Sequence, residues 1–536
     1  MTFPAKILST AILLCLCGSA GAAIKGAVVD RATTLIQMHA DAIHGSADDR
    51  FIARDAIVDA DGTEHVRFDR TYRGLAVIGG DVVMHSRAGR YTGASLTLPA
   101  ALYVQTQPKL TADNALMIAG SQFGPSFEGL PTAKLVVYAK GSKPVLAYEV
   151  LYRGFRKDTT PTAMHYYVDA TKGTILAKWD SIETGILPGS GGGTPATPAV
   201  GSGRSLLSGS VVINTQLNNK IFELKDQTRG GAYTTDMANN TRGSGTLFID
   251  GDNAWGNYAL SDRATAAVDA HYGVATTWDY YKNIFHRNGI ANDGVGALSR
   301  VHYSRNYVNA FWDDSCFCMT YGDGDGVNYN PVVMLDVVGH EMSHGVTSHT
   351  ANLDYFGESG GLNEANSDMM GTMVEFYAAT PAHPGNYMIG EKLVINNPTG
   401  NIALRYMFKP SLDGISPDCY PTDPDYLNFF SNSMDVHYTS GVGNHFYYLL
   451  AEGAVAPAGF GLTTADVVCN GNTGLHGVGR SAAQQIWYRA LSVYMTSGTN
   501  YHGARAATLS AATDLFGATS PQHTAVAAAW AAVGVN

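Results

Sequence analysis

Residues 331–350 read PVVMLDVVGHEMSHGVTSHT, and within them His340, Glu341, Met342, Ser343 and His344 spell H-E-x-x-H. Val333, Val337, Met342 and Val346 recur at helix-compatible intervals, which predicts a mostly buried helix. Residues four apart share a helix face, so His340 and His344 are placed to grip one ion from the same side. Neutral imidazole is a good zinc ligand, and a catalytic zinc usually takes three protein ligands and leaves a position for water. Glu341 follows His340 directly and reaches that side without binding the metal, which suits a general base. Histidine makes up 17 of 536 residues, so the pentapeptide arises by chance in roughly one or two per cent of such chains. Two satisfied core histidines are the plain alternative, and a third ligand separates the two readings.

Residues 359–377, SGGLNEANSDMMGTMVEFY, supply one. Ser359 suits a helix N-cap, and apolar Leu362, Met369, Met373 and Phe376 follow at helical spacing. Glu364 and Asp368 share a face of this second helix. Enough chain separates Glu364 from His344 for a turn and an antiparallel return, which makes Glu364 the expected third zinc ligand. Asp368 is expected to accept the free ring N–H of a zinc histidine and so set its tautomer. The plain alternative is a solvated acidic helix.

HEMSH followed by GGLNEANSD resembles the signature of the thermolysin-like zinc metalloendopeptidases, the gluzincins. NAFWDD, YGDGDG, ALRYM, DVHYTSGVGNHFYYLL and AATDLFGATS continue the likeness, in order, over residues 205–536. The resemblance implies an α+β fold with a two-lobed catalytic domain: a β-rich N-terminal lobe at 205–350 ending in the zinc helix, a mainly helical C-terminal lobe at 351–536, and zinc in the cleft between. It also implies that Tyr355 and His437 donate to the oxyanion. The position five before His437, acidic in thermolysin, is Asn432. Asp435 corresponds instead to the acid of the elastase- and vibriolysin-like branch, a partner able to keep His437 protonated.

By the same resemblance, Asn309 and Ala310 lie on an edge strand that pairs with substrate backbone. Arg405 binds a substrate carbonyl, although an ion pair with a helix carboxylate suits the same position. Val337, Ile389, Leu393 and Leu404 match the wall of the pocket for the residue after the scissile bond, and all are aliphatic. A preference for Leu, Phe or a similar residue follows. Asp336, Glu375 and Glu391 match calcium positions, with Asn386 and the Met388 carbonyl as further ligands, because facing carboxylates need a hard cation between them. Met388 and Lys392 stand where acids are expected, so one calcium is expected here. Asp323 and Asp325 in GDGDG open like an EF-hand, but no Glu occupies the twelfth position.

The first 23 residues carry one lysine, an apolar run and a small-residue exit, the pattern of a secretory signal peptide cleaved near residues 20–23. Residues 24–100 alternate short apolar stretches with glycine turns, as in GLAVIGGDVVMHSRAGRYTGASLTL, and read as hairpins. They resemble a thermolysin-type propeptide domain. Residues 101–183, a helix near 110–123 followed by strands, resemble a PepSY-like prodomain. Together they imply an α+β propeptide that acts as intramolecular chaperone and inhibitor. Within residues 184–204 the run LPGSGGGTPATPAVGSG reads as a flexible linker holding the maturation site.

Four cysteines follow the signal, Cys316, Cys318, Cys419 and Cys469, an even number suited to an oxidising compartment. A bond inside Cys316-Phe317-Cys318 would be strained, so bonds between distant segments are expected. The formal net charge of −11 argues against nucleic acid as a partner. No further stretch is long and apolar enough to span a membrane. The expected protein is a secreted, autoprocessed zinc metalloendopeptidase acting on protein and peptide substrates, monomeric when mature, with one catalytic zinc and at least one calcium. An exopeptidase would need a G-x-M-E-N-type amine anchor, which the sequence lacks. The rival of a different class is a catalytically silent peptide-binding protein or adhesin.

Overall fold

A computed structural model describes residues 16–141, 143–182 and 196–536, with side chains from residue 26. The expected signal peptide lies mainly outside the described residues, as does the linker stretch 183–195. The chain divides into two units, one of residues 1–109, 135–147 and 169–172, the other of the remainder.

In the first unit, a helix Leu16–Met38 precedes antiparallel strands Asp49–Val58, Thr63–Tyr72, Val82–Arg87 and Arg90–Leu96. The hairpins are as expected, but the helix over the start of the 24–100 region corrects an all-hairpin reading. Val28, Ala32, Leu35 and Ile36 form one helical stripe that buries against Val66, Phe68, Val82 and Met84. Alternating strand signals further on had obscured that stripe.

The second unit contains a helix Ala112–Phe123, opened by a capping box between Thr111 and Asn114. Strands Val145–Phe155, Pro161–Asp169 and Ile175–Asp180 are neighbours in a sheet. A five-stranded sheet follows, with Thr197–Arg204 antiparallel to Ser210–Asn218. This strand corrects the linker assignment for its second half. Its glycines serve close packing, not flexibility: a Cβ at Gly201 would stand 2.3 Å from Asn253 Oδ1, and one at Gly203 2.5 Å from a Val268 methyl.

A six-stranded sheet places Leu298–Tyr303 beside Cys318–Gly322, with Ala310–Asp313 at the edge. The helices Ala264–Phe285 and Leu335–Ser348 share an apolar core with these sheets through Val268, Trp278, Trp312, Val338 and Met342. From Gly357 onward the unit is mainly helical. Met369, Met373, Phe446, Trp487 and Trp530 lie in a second core, where Phe446 and Trp530 stack at 3.7 Å. This is the two-lobed arrangement: β-rich, then helical.

Of the two disulfides, the one between Cys419 and Cys469 joins distant segments as expected, and the one between Cys316 and Cys318 corrects the sequence reading. Phe317 adopts a left-handed backbone with φ 52°, which folds the turn between the edge strand and its neighbour tightly enough to bring the two cysteines together. No described helix is long and apolar enough to cross a membrane.

Candidate metal centre and active site

Two helices build the centre. Leu335–Ser348 is buried along nearly its whole length, and Gly357–Ala378 returns beside it. Their approach depends on glycine. A Cβ on Gly371 would lie 2.3 Å from the Asp336 carbonyl oxygen, and one on Gly339 would lie 2.9 Å from Gly371 Cα. Any larger side chain would push the helices apart and carry Glu364 away from the histidines. The second helix starts at Gly357, with Phe356 as its N-cap, rather than from Ser359. Gly357 has φ 57°, and the Ser431 carbonyl would stand 2.3 Å from a Cβ there, so glycine sets the start. Ser359 Oγ donates instead to the Phe356 carbonyl at 2.9 Å.

The three sequence-expected zinc ligands converge. Nε2 of His340 and Nε2 of His344 lie 3.0 Å apart. Glu364 Oε2 is 3.4 Å from the first, and Glu364 Oε1 is 3.3 Å from the second. Each Nδ1 is engaged behind the site: His340 Nδ1 with Asp368 Oδ1 at 2.8 Å, His344 Nδ1 with Asn363 Oδ1 at 2.8 Å. A carboxylate and an amide oxygen only accept, so each Nδ1 donates and each Nε2 lone pair faces the shared point. Glu364 is fully buried and its Oε2 has no hydrogen-bond partner. Two imidazoles and one carboxylate around an orphaned buried oxygen fit zinc.

Asp368 is the hub behind them. It is fully buried, and besides His340 it accepts from Arg405 Nε and Nη2, both at 2.7 Å, and from Asn444 Nδ2 at 2.8 Å. Burial opposes its charge, but Arg405 and His340 hold its carboxyl well below the usual carboxylate range. The fork of Arg405 is thus spent on a helix carboxylate, the ion-pair alternative raised by the sequence. Asn363 and Asn444 were missed by sequence reasoning. Asn363 is one residue before the expected ligand Glu364, and its Nδ2 also donates to the Leu353 carbonyl at 3.0 Å. An amide at that position was the only available signal.

Glu341 is buried beside the two histidines, and burial raises its carboxyl above the usual range while both imidazoles oppose the rise. The Tyr355 hydroxyl bonds Glu364 Oε1 and lies 3.4 Å from His437 Nε2. His437 Nδ1 meets Asp435 Oδ1 at 2.7 Å. About half of the His437 side chain is exposed, but its ring nitrogens face protein. Desolvation lowers its pKa, Glu364 and Asp435 raise it, and the net shift is upward.

Ala310 begins the edge strand, and Asn309 precedes it with an exposed side chain. Val337 and Leu393 share one buried cluster, Ile389 belongs to the other, and Leu404 is 42% exposed, its amide bonded to the Ile389 carbonyl at 2.8 Å. Residues from the 101–183 region lie against this neighbourhood. The Thr160 and Tyr307 hydroxyls are 3.0 Å apart, Ile182 packs on Met237, Tyr303, Tyr307 and Phe311, and Trp179 stacks with Phe356 at 6.2 Å.

Of the calcium set, Asp336, Glu375 and Glu391 come together, but with His383 at their centre. Asn386 lies beside this cluster. Its amide oxygen accepts from Met388 N–H at 2.7 Å and its nitrogen donates to Glu391 at 3.0 Å. Met388 sits in a two-residue strand with Ile389. Calcium takes six to eight oxygens and no imidazole, so this donor set does not fit it. His383, in a proline-flanked loop, was also missed by sequence reasoning. Asp325 spends its carboxylate on the amides of Val327, Asn328 and Tyr329, closing its own turn.

Comparison with known proteins gives the family. Residues 200–348 match the family described as thermolysin metallopeptidase, catalytic domain, and 351–535 match its alpha-helical domain. Residues 49–98 match the fungalysin/thermolysin propeptide motif. The "Transglutaminase-activating metalloprotease" of Streptomyces mobaraensis is 46% identical over 91% of this chain, which spans 61% of that protein's length. A "Thermolysin" of Alicyclobacillus acidocaldarius is 38% identical over 88% of this chain and 83% of its own. Among solved structures, a precursor of protealysin from Serratia proteamaculans is 28% identical with a TM-score of 0.43, covering 57% of this chain and 87% of that one.

Proposed function

The chain belongs to the thermolysin family of metallopeptidases, and from that premise we propose that His340, His344 and Glu364 hold one catalytic zinc with which it cleaves internal peptide bonds. Its class is that of a metalloendopeptidase made with a propeptide. The observation that carries the residue assignment is the convergence of two Nε2 atoms and one carboxylate, with each Nδ1 engaged behind them.

Zinc, when bound, supplies a Lewis acid that polarises the scissile carbonyl and acidifies water. Asp368 and Asn363 hold the two imidazoles in the tautomer and orientation that presents Nε2. Glu341, with its affinity for protons raised by burial, takes a proton from the attacking water and delivers it to the leaving amine. Tyr355 O–H and a protonated His437 donate to the oxyanion as it develops, and Asp435 supports the charge on His437. Arg405 acts through Asp368 as a positioning residue. The edge strand at Asn309 and Ala310 pairs with substrate backbone, and the aliphatic set Val337, Ile389, Leu393 and Leu404 selects a bulky apolar residue after the cut.

The protein is exported, its propeptide folds with the catalytic part and restrains it, and maturation occurs between the two. A structural cation among Asp336, Glu375 and Glu391 belongs to the same proposal, with the donor set deciding which ion.

The deciding experiment is hydrolysis of a blocked peptide with an internal Gly-Leu bond by the purified, processed chain, with and without a zinc chelator. Chelator-sensitive cleavage before Leu is expected. A processed, zinc-loaded chain that cleaves nothing would favour the silent binding protein, and cleavage surviving metal removal would exclude the zinc mechanism. Replacing His437 by alanine is expected to lower kcat by roughly 10²–10³-fold with little change in KM, as for loss of one oxyanion donor; an unchanged kcat would remove His437 from that role. Trp179→Ala is expected to weaken inhibition by the released propeptide roughly tenfold, the order of one aromatic contact and its area. An unaltered inhibition constant would show that this stack does not restrain the enzyme.

A further inference from the structure

The cluster around His383 has the same marks as the catalytic centre. His383 and Glu375 are fully buried, and His383 Nε2 stands 2.6 Å from Glu375 Oε1 and 3.4 Å from Glu391 Oε1. Ligand atoms of Asp336, Glu375 and His383 all lie within 4.8 Å of one another. Despite this closeness, both ring nitrogens of His383, Glu375 Oε1 and Glu391 Oε2 make no hydrogen bond. Nε2 and Oε1 face each other off the line an N–H would take, which is the arrangement of two donors aimed at a common ion. At the catalytic centre the orphaned Glu364 Oε2 stands 3.4 Å from His340 Nε2 in the same way.

The charge balance asks for a cation. Three carboxylates share a largely water-free space with a single imidazole. An imidazolium alone would leave two net negative charges and its own N–H groups without aligned acceptors. Calcium is a poor answer, because an aromatic nitrogen occupies the middle of the cluster and the Asn386 oxygen is turned to Met388 N–H. Asp336 already accepts from Val337 N–H on Oδ1 at 2.8 Å and from Gly390 N–H on Oδ2 at 2.5 Å, which fixes the carboxylate and leaves a lone pair on each oxygen for an ion. One imidazole nitrogen and one oxygen from each of three carboxylates match the donor type and number of a tetrahedral transition-metal site. Glu391, Asn386, Met388 and Lys392 also line a cavity of about 400 Å³, which gives an ion a way in.

We infer that Asp336, Glu375, His383 and Glu391 form a second, structural metal site that takes a zinc-class transition-metal dication in place of calcium. It ties the loop that carries His383 and Glu391 to both zinc-bearing helices, so its loss loosens the scaffold of the catalytic site without touching a catalytic group.

The test is metal analysis of the full chain carrying Glu341→Gln, which prevents self-cleavage, after equilibration with both zinc and calcium. Two zinc ions per chain are expected, and one when His383→Asn is added, with a lower Tm that extra zinc no longer raises. One zinc with one calcium that persists in His383→Asn would overturn the proposal, as would one zinc and no second ion. If His383→Asn does not fold, anomalous diffraction at the zinc edge from zinc-saturated crystals decides: a peak beside His383 Nε2 supports the site, and its absence overturns it. Peptidase activity enters none of these readouts, so failure here is distinguishable from failure of the catalytic assignment.

Discussion

Glu341→Gln is expected to abolish peptidase activity, lowering kcat by at least about 10³-fold, while zinc remains bound at one ion among His340, His344 and Glu364. General acid–base groups contribute roughly 10²–10⁴-fold to a rate, and here one carboxylate serves both the attack and the departure of the amine. Glutamine keeps the shape and loses the basicity. Glu341 sits on the zinc helix, yet the atoms that converge belong to the residue before it and the residue three after it. Metal content and blocked-peptide hydrolysis on the same preparation check the prediction. Loss of zinc would make Glu341 a ligand, and retained turnover would place the base elsewhere.

Asp368→Asn is expected to destabilise the catalytic part by about 3–5 kcal/mol, the cost of leaving one partner of a buried ion pair uncompensated. Asp368 has no exposure, and the Arg405 that faces it keeps only 14% of its side chain exposed. The neutral amide also stops requiring a proton on His340 Nδ1, so zinc affinity should fall by about 10–100-fold. Thermal unfolding of zinc-loaded Asp368→Asn, Arg405→Ala and the double variant separates the two effects. If Asp368→Asn unfolds with the wild type, the pair is not a stabilising element. If the double variant is as unstable as the sum of the singles, the two residues act independently.

Much of the centre was legible because its spacing is local. Two histidines four residues apart on a helix must face one way, and Glu364 and Asp368 obey the same rule on the next helix. What those side chains meet from behind was not legible. Asn363 precedes a ligand and points to a second histidine, and Asn444 arrives from a helix far along the chain. Nothing in their spacing distinguishes them from surface amides. Arg405 could be read two ways, and packing chose Asp368.

By itself the sequence determined the family and the order of β-rich and helical lobes, and it singled out His340, His344, Glu364 and Glu341 as candidates, because each rests on helical periodicity or on motifs contiguous in the chain. The tertiary structure alone decided the rest. The glycine-rich run after the linker became a strand because Asn253 and Val268 leave no room for a Cβ at Gly201 and Gly203. Cys316 paired with Cys318 because Phe317 turned left-handed between two hydrogen-bonded strands. His383 entered a cluster of acids because a loop folded back over both zinc-bearing helices. The glycine and His383 outcomes depend on atoms that meet across long stretches of chain, and the cysteine pair on one residue's backbone turn, so packing and local conformation, not spacing along the chain, set the contact.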